Sequence, residues 1–251
     1  MICTRIRRHP ARAWAAVVAL AFGLPAVPAR ADVTLPNIFG THMVLQRDMK
    51  DKVWGKADPG EAITVKIADQ SKSTTADASG KWSVTLDPLP AGGPHTLTIQ
   101  GKNTVTFSDV LVGEVWICSG QSNMQWAVNQ ANEAELETLT AKNPMIRLIS
   151  VPQVGTQEPK DNFNGKWELC TPKTAPQFSA VGYFFGRALQ QALDVPVGLI
   201  DDALGGSACR AGSVATSSRR TKYGPLMERW KELEGGRREL QGRPRQAQGS
   251  R

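Results

Sequence analysis

Histidine is scarce in this sequence: His9, His42 and His95 are the only three among 251 residues. They form no cluster, and no Cys-x-x-Cys pair occurs, so neither a structural zinc site nor any other metal or cofactor is expected. A membrane-spanning run is missing as well. The uncharged apolar stretch Ala13 to Leu24 rises only about 18 Å as a helix. A hydrocarbon core is about 30 Å thick, which excludes stable membrane insertion from the expectations. The body of the chain also lacks a surplus of positive charge. The net charge of +7 is concentrated at the ends, in residues 1–31 and 233–251, leaving 20 basic and 21 acidic residues between them. No nucleic-acid partner is expected from a body that is nearly neutral.

What is present suffices for a folded protein. Apolar residues make up 41% and charged residues 21%, enough for the core of one large domain or two small ones. Residues 1–31 read as an export leader. Arg5, Arg7, Arg8 and Arg12 precede the apolar run, and Ala29 and Ala31 supply the small residues of a cleavage site before Asp32. The mature protein is then periplasmic or extracellular. It keeps Cys118, Cys170 and Cys209, an odd number that allows at most one internal disulfide.

From residue 32 to 109 apolar and polar residues alternate. Ala62 to Ile67, Trp82 to Leu86 and His95 to Ile99 read as short strands, separated by turn clusters such as Asp58-Pro59-Gly60 and Ala91-Gly92-Gly93-Pro94. That pattern predicts an all-β sandwich. Trp54 and Trp82 have two readings, as core residues or as stacking platforms for sugar rings, with core packing the heavier. His42 and His95 have no partner visible in the sequence.

The period changes near residue 110. Val112 to Cys118, Met145 to Ile149 and Val195 to Ile200 read as buried strands. Helical spacing runs from Met124 to about Thr140. It returns from Phe178 to Leu193, where Val181, Phe184, Phe185, Ala188, Leu189 and Ala192 form the apolar face. Strands alternating with helices predict a parallel sheet, whose ligands bind beyond the carboxyl ends of the strands. Two turns lie there, Ser119–Asn123 and Gly205-Gly206. A serine between a strand and a helix exposes its hydroxyl beside unpaired backbone N–H groups, a geometry suited to attack on a carbonyl. The Gly-x-Ser-x-Gly elbow is absent, because Met124 stands at its last position. Capping of the next helix by Ser122 or Asn123 is the competing reading.

The block Gly113-Glu114-Val115-Trp116-Ile117-Cys118-Ser119-Gly120-Gln121-Ser122-Asn123-Met124 closely resembles the nucleophile block of the sialate O-acetylesterase family, which are SGNH-type carbohydrate esterases. His42 to Arg47, Ala57 to Glu61, Phe178 to Gly186 and Pro196 to Ile200 extend the resemblance over roughly residues 33–207. It implies an α/β protein: an N-terminal sandwich-like β-domain at 32–109, then a three-layer α/β/α esterase domain at 110–232. It also implies a secreted serine esterase that removes O-acetyl groups from sugars, typically sialic acids. Ser122 would be the catalytic nucleophile, with oxyanion donors from Ser122 and from Gly205 or Gly206. Gln121 and Asn123 would shape the turn.

One part of the family pattern is missing. The family carries its base in an Asp-x-x-His motif late in the catalytic domain, and no histidine follows Ser122 here. The resemblance therefore implies an incomplete, C-terminally truncated esterase domain with weak activity or none. Residues 210–220 read as frame-disturbed, and 233–251 as a disordered or out-of-frame tail. The alternative function is a secreted carbohydrate-binding protein without catalysis.

Overall fold

The computed structural model describes residues 32–154 and 159–206. The leader at 1–31, Cys209, the stretch 210–220 and the tail 233–251 lie outside the described residues.

Seven strands form the front half. They are β1 (Val44–Gln46), β2 (Lys52–Lys56), β3 (Ala62–Ile67), β4 (Gln70–Thr75), β5 (Lys81–Thr85), β6 (Gly92–Gln100) and the start of β7 (Thr104–Gly120). β4, β3, β6 and β7 lie side by side, each antiparallel to the next. β2 and β5 make a separate antiparallel ribbon. The alternation sets which face is buried: Ile63, Val65 and Ile67 point inward and Lys66 outward. Burying each such side chain stabilises the fold by about 1.5–3 kcal/mol. Val53, Trp82 and Val84 of the ribbon share one core with Ile63, Val65, Leu97 and Ile99. This is the expected sandwich-like arrangement. It separates the two tryptophans, because Trp82 is core while Trp54 is 40% exposed and meets Phe39 edge to face at 4.7 Å.

The back half is the expected parallel sheet. β10 (Val197–Ala203) lies between β7 and β8 (Asn143–Ser150), parallel to both, and β9 (Glu168–Cys170) pairs antiparallel with β8. The change of period near residue 110 falls inside β7, which pairs with β6 as far as Val112 and with β10 from Glu114. Cys118 and Cys170 are buried free thiols in the second core, and burial pushes each up to about 11.

The helices differ from expectation in two ways. The segment after Met124 is not one helix. It is α1 (Ser122–Gln125), a 3-10 turn at Val128–Gln130 and α2 (Ala134–Thr140). The break arises because the backbone around Ala127 pairs with the chain before the last helix: Val128 N–H donates to Phe178 O at 3.0 Å and Ala180 N–H to Trp126 O at 2.7 Å.

That last helix, α3 (Ala180–Leu193), buries a different face. Ala180, Gly182, Tyr183 and Gly186 face the sheet, while Val181, Phe185, Ala188 and Ala192 are exposed. Glycine spacing explains the rotation. A Cβ at Gly182 would lie 2.8 Å from Cys118 Sγ, and one at Gly186 would lie 2.6 Å from Leu199 Cδ1. The backbone itself packs on β7 and β10, so this side wins over the bulkier stripe.

Asp51, just before β2, is half-buried, and burial pushes its carboxyl up to about 6. An unfolded Asp titrates near 3.9, so between about pH 4 and 6 the folded state holds a proton that the unfolded state releases. Stability therefore falls as pH rises through that window. Asp51→Asn is expected to raise the Tm at pH 7 and to lose that advantage near pH 4, as measured by thermal melts across pH. Equal Tm values at pH 7 would contradict this.

Candidate active site

Three parallel strands deliver their carboxyl ends to one place. β7 ends in the Gly120–Gln121 turn, β8 runs on to Gln153, and β10 leads to Gly205-Gly206. Leu204 N–H donates to Gly120 O at 3.0 Å and ties the first and third ends together. Ser122 is the first residue of α1, and Gln121 holds the cap position without a side-chain cap bond. The capping role considered for Ser122 or Asn123 is therefore not what the fold uses. Gln121, Ser122 and Asn123 are all exposed. Among the described residues the Ser122 hydroxyl has no hydrogen-bond partner.

Gln125, one helical turn after Ser122, joins the three ends. Its Oε1 accepts the Gly205 N–H at 2.6 Å, and its Nε2 donates to Gln153 Oε1 at 2.8 Å. A Cβ at 205 would lie 2.1 Å from Gln125 Oε1 and 3.8 Å from Ser122 Oγ, so any other residue there would push the Gln125 amide aside. This changes the expectation for the two glycines. The Gly205 amide is engaged by Gln125, whereas Gly206 is exposed and in the left-handed region, with φ +72°. Gln125 carried a faint signal in its spacing from Ser122. Gln153 carried none, because it meets the site only through the sheet order.

Two carboxylates that the sequence reading passed over sit on the end of β10. Burial raises both Asp201 and Asp202 above the usual range. Asp201 Oδ1 accepts the Ala203 N–H at 3.2 Å, and the Asp202 carbonyl accepts the Ser119 hydroxyl at 3.4 Å. Ser179, buried at the cap of α3, accepts the Gly182 N–H at 3.1 Å and donates to Met124 O at 2.5 Å, which anchors α1 from below. Among the described residues no three His, Cys, Asp or Glu side chains are grouped to hold a metal ion.

His42 has the partner that the sequence did not reveal: its Nδ1 lies 2.6 Å from Asp109 Oδ2. Asp109 precedes Gly120 by eleven residues of one strand, roughly 35 Å at about 3.3 Å per residue. His95 pairs with Val110 on the same stretch. Neither histidine reaches Ser122.

Gln125→Leu is expected to leave the fold intact and to release the Gly205 amide. Hydrogen exchange at Gly205 should speed up about tenfold or more, as in a turn that has lost its closing bond. Unchanged protection at Gly205 would show that Gln125 does not hold the turn.

Comparison with known proteins identifies the family. Residues 112–242 match the family of carbohydrate esterases described as sialic acid-specific acetylesterases. The sialate O-acetylesterase of Mus musculus is 34% identical over 187 residues, which cover 66% of this chain and 35% of that protein. The human sialate O-acetylesterase is 35% identical over 196 residues, covering 70% and 38%. The crystal structure of a carbohydrate acetylesterase from Xanthomonas citri superposes with a TM-score of 0.72 at 37% identity, over 76% of this chain and 45% of that one. The chain thus spans little more than a third of the length of the mammalian relatives it matches.

Proposed function

The chain belongs to the sialic acid-specific acetylesterase family of carbohydrate esterases, and from that premise we propose that it carries the nucleophile side of a serine esterase site acting on O-acetylated sugars, sialic acids among them. The observation that carries this reading is the exposed Ser122 hydroxyl, without a partner among the described residues, at the end of β7 against the Gly205-Gly206 turn. Ser122 Oγ attacks the acetyl carbonyl, and the sugar hydroxyl leaves. The acetyl-serine is then hydrolysed by water. The oxyanion of each tetrahedral intermediate is stabilised by backbone N–H groups, those of Ser122 and Gly206. Gly205 supports the turn through Gln125 and is not a donor.

The same reading assigns this chain a low rate on its own. Attack by a serine needs a base to accept its proton, and His9, His42 and His95 all precede Ser122. Export through the leader at 1–31 belongs to the proposal, with the substrate met outside the cytoplasm. The competing reading, sugar binding without catalysis, differs in one measurable respect. Acetate release from O-acetylated sialic acid should be slow with the wild-type chain and absent with Ser122→Ala. Equal release by the two proteins would defeat the esterase reading.

A further inference from the structure

A cleft of about 470 Å³ lies between the front strands and the β8–β9 side, and Ser122 is not among the residues that line it. Phe39, Thr41 and His42 line one wall, and Trp167, Thr171 and Thr174 the other. Its chemistry centres on His42. Asp109 Oδ2 is 2.6 Å from both His42 Nδ1 and Arg147 Nη1, and Arg147 is buried. The Arg147 guanidinium holds the Asp109 carboxyl below the usual range, so it is ionised and can only accept hydrogen bonds. His42 Nδ1 must therefore be the N–H donor. In the neutral ring this makes Nε2 the lone-pair nitrogen, on a side chain that is 37% exposed.

The backbone holds this arrangement under strain. His42 and Asp109 both adopt left-handed conformations, with φ of +72° and +54°. Backbone strain of this kind collects at binding and catalytic sites.

We infer that this cleft is a carbohydrate site separate from Ser122, in which His42 Nε2 accepts a hydroxyl of a neutral sugar ring. The lining decides the ligand class. Thr41 Oγ1 accepts the Ser108 N–H at 3.3 Å, which leaves its own O–H free to donate beside the His42 acceptor. Thr174 donates to Leu169 O, so Thr171 must donate to Thr174, and Thr171 Oγ1 keeps acceptor capacity. Hydroxyl groups, which both donate and accept, fit such a pair of walls. Phe39 and Trp167 also line the cleft but are only 8% and 4% exposed, so the hydroxyls and His42, not stacking on a ring face, carry recognition. Among the described lining residues the one lysine or arginine, Lys166, is paired with Glu168 at 3.4 Å, so these residues offer no net charge to an anion. The volume falls within the range of small-ligand pockets, about 300–1,000 Å³. At most about 35 Å of β7 separates Asp109 from the serine turn, so the cleft suits a further unit of a longer glycan. Holding one unit there would raise the local concentration of the others at the serine turn.

The inference does not depend on the role of Ser122, and the test keeps the two apart. The full chain, labelled with nitrogen-15, is titrated with lactose as the neutral probe and sialyllactose as the anionic one. Lactose should give saturable shifts at the Thr41 and His42 amides and the Trp167 indole N–H, unchanged in Ser122→Ala. His42→Asn keeps a side chain that tolerates the left-handed backbone but removes Nε2. It should weaken binding about five- to tenfold, the loss of one hydrogen bond. Thr41→Val should weaken it similarly. The inference fails if lactose moves none of these signals across the millimolar range, or if shifts are confined to the Ser122 turn. It also fails if sialyllactose alone binds the cleft, or if both variants bind lactose as well as the wild type.

Discussion

Imidazole added to this chain is expected to raise the rate of Ser122 acetylation by an aryl acetate about 10²-fold, and Ser122→Ala is expected to abolish the acetylated species. The argument begins with the serine proton. A general base contributes typically 10²–10⁴-fold. Neither described histidine, His42 or His95, reaches Ser122, and the hydroxyl is exposed without a partner among the described residues. A small base can therefore approach it from solvent. Free imidazole lacks the advantage of being held in place, so it recovers the lower end of that range. Imidazole also cleaves aryl acetates in solution, so released product is a poor readout. Intact-protein mass spectrometry reports the covalent intermediate directly, as a gain of one acetyl group on the Ser122 peptide. Acetylation of the same extent in Ser122→Ala, on lysines for example, would remove Ser122 from the mechanism. Rapid acetylation of the wild type without imidazole would mean that a base already serves it, and Asp202 would be the first carboxylate to substitute, since burial raises it above the usual carboxylate range.

Gln125 sharpens the interpretation of that experiment. It fixes Gly205 beside Ser122 through its Oε1, and through Gln153 it fixes the end of β8 as well. The proposed oxyanion donors thus stand beside a clamp made from three strand ends. Such a clamp would set their alignment before substrate arrives, the condition under which such donors contribute most.

The sequence made some of this legible, and the reasons can be named. The front strands were readable because one face of each is buried, so the alternation of Ile63, Val65 and Ile67 is forced by the sheet. Ser122 was readable because a strand end, a tight turn and a helix start follow one another without a gap. The face of α3 was not readable, because hydrophobicity ranks Val181 and Phe185 above Gly182 and Gly186, whereas packing ranks close approach first. Nor was the cluster of His42, Asp109 and Arg147. Its members lie 67 and 38 positions apart in the chain, and the pairing of β1 with β7, and of β8 with β7 through β10, brings them together. Polar residues that meet across a sheet leave no periodic trace.

That same cluster should produce the largest loss of stability from a single side chain. The Arg147 side chain is 4% exposed, and its charge is met by Asp109 through Nη1 at 2.6 Å and Nη2 at 3.3 Å, with Nε donating to Pro144 O at 2.9 Å. Asp109→Ala leaves a buried guanidinium without its counter-charge, a defect that costs about 3–5 kcal/mol. Asp109 is itself partly open to water, so the lower end applies, about 3 kcal/mol. At about 2–4 °C per kcal/mol for a chain of this size, the Tm should fall by about 6–12 °C. Asp109→Asn keeps the shape and tolerates the left-handed backbone, so it should cost less than alanine. Two comparisons separate charge from packing. Asp109→Ala combined with Arg147→Met removes both charges and should recover most of the loss, because a buried ion pair replaced by apolar groups is often neutral. The pH dependence provides the second. The Asp109 carboxyl is held below its unfolded value chiefly by Arg147, so its contribution is fully present above about pH 4 and is lost as pH falls through the lower, folded value. Acid melts of the wild type should therefore steepen below about pH 4, and those of Asp109→Asn should not. An Asp109→Ala protein that melts with the wild type would show that water, and not Asp109, satisfies Arg147.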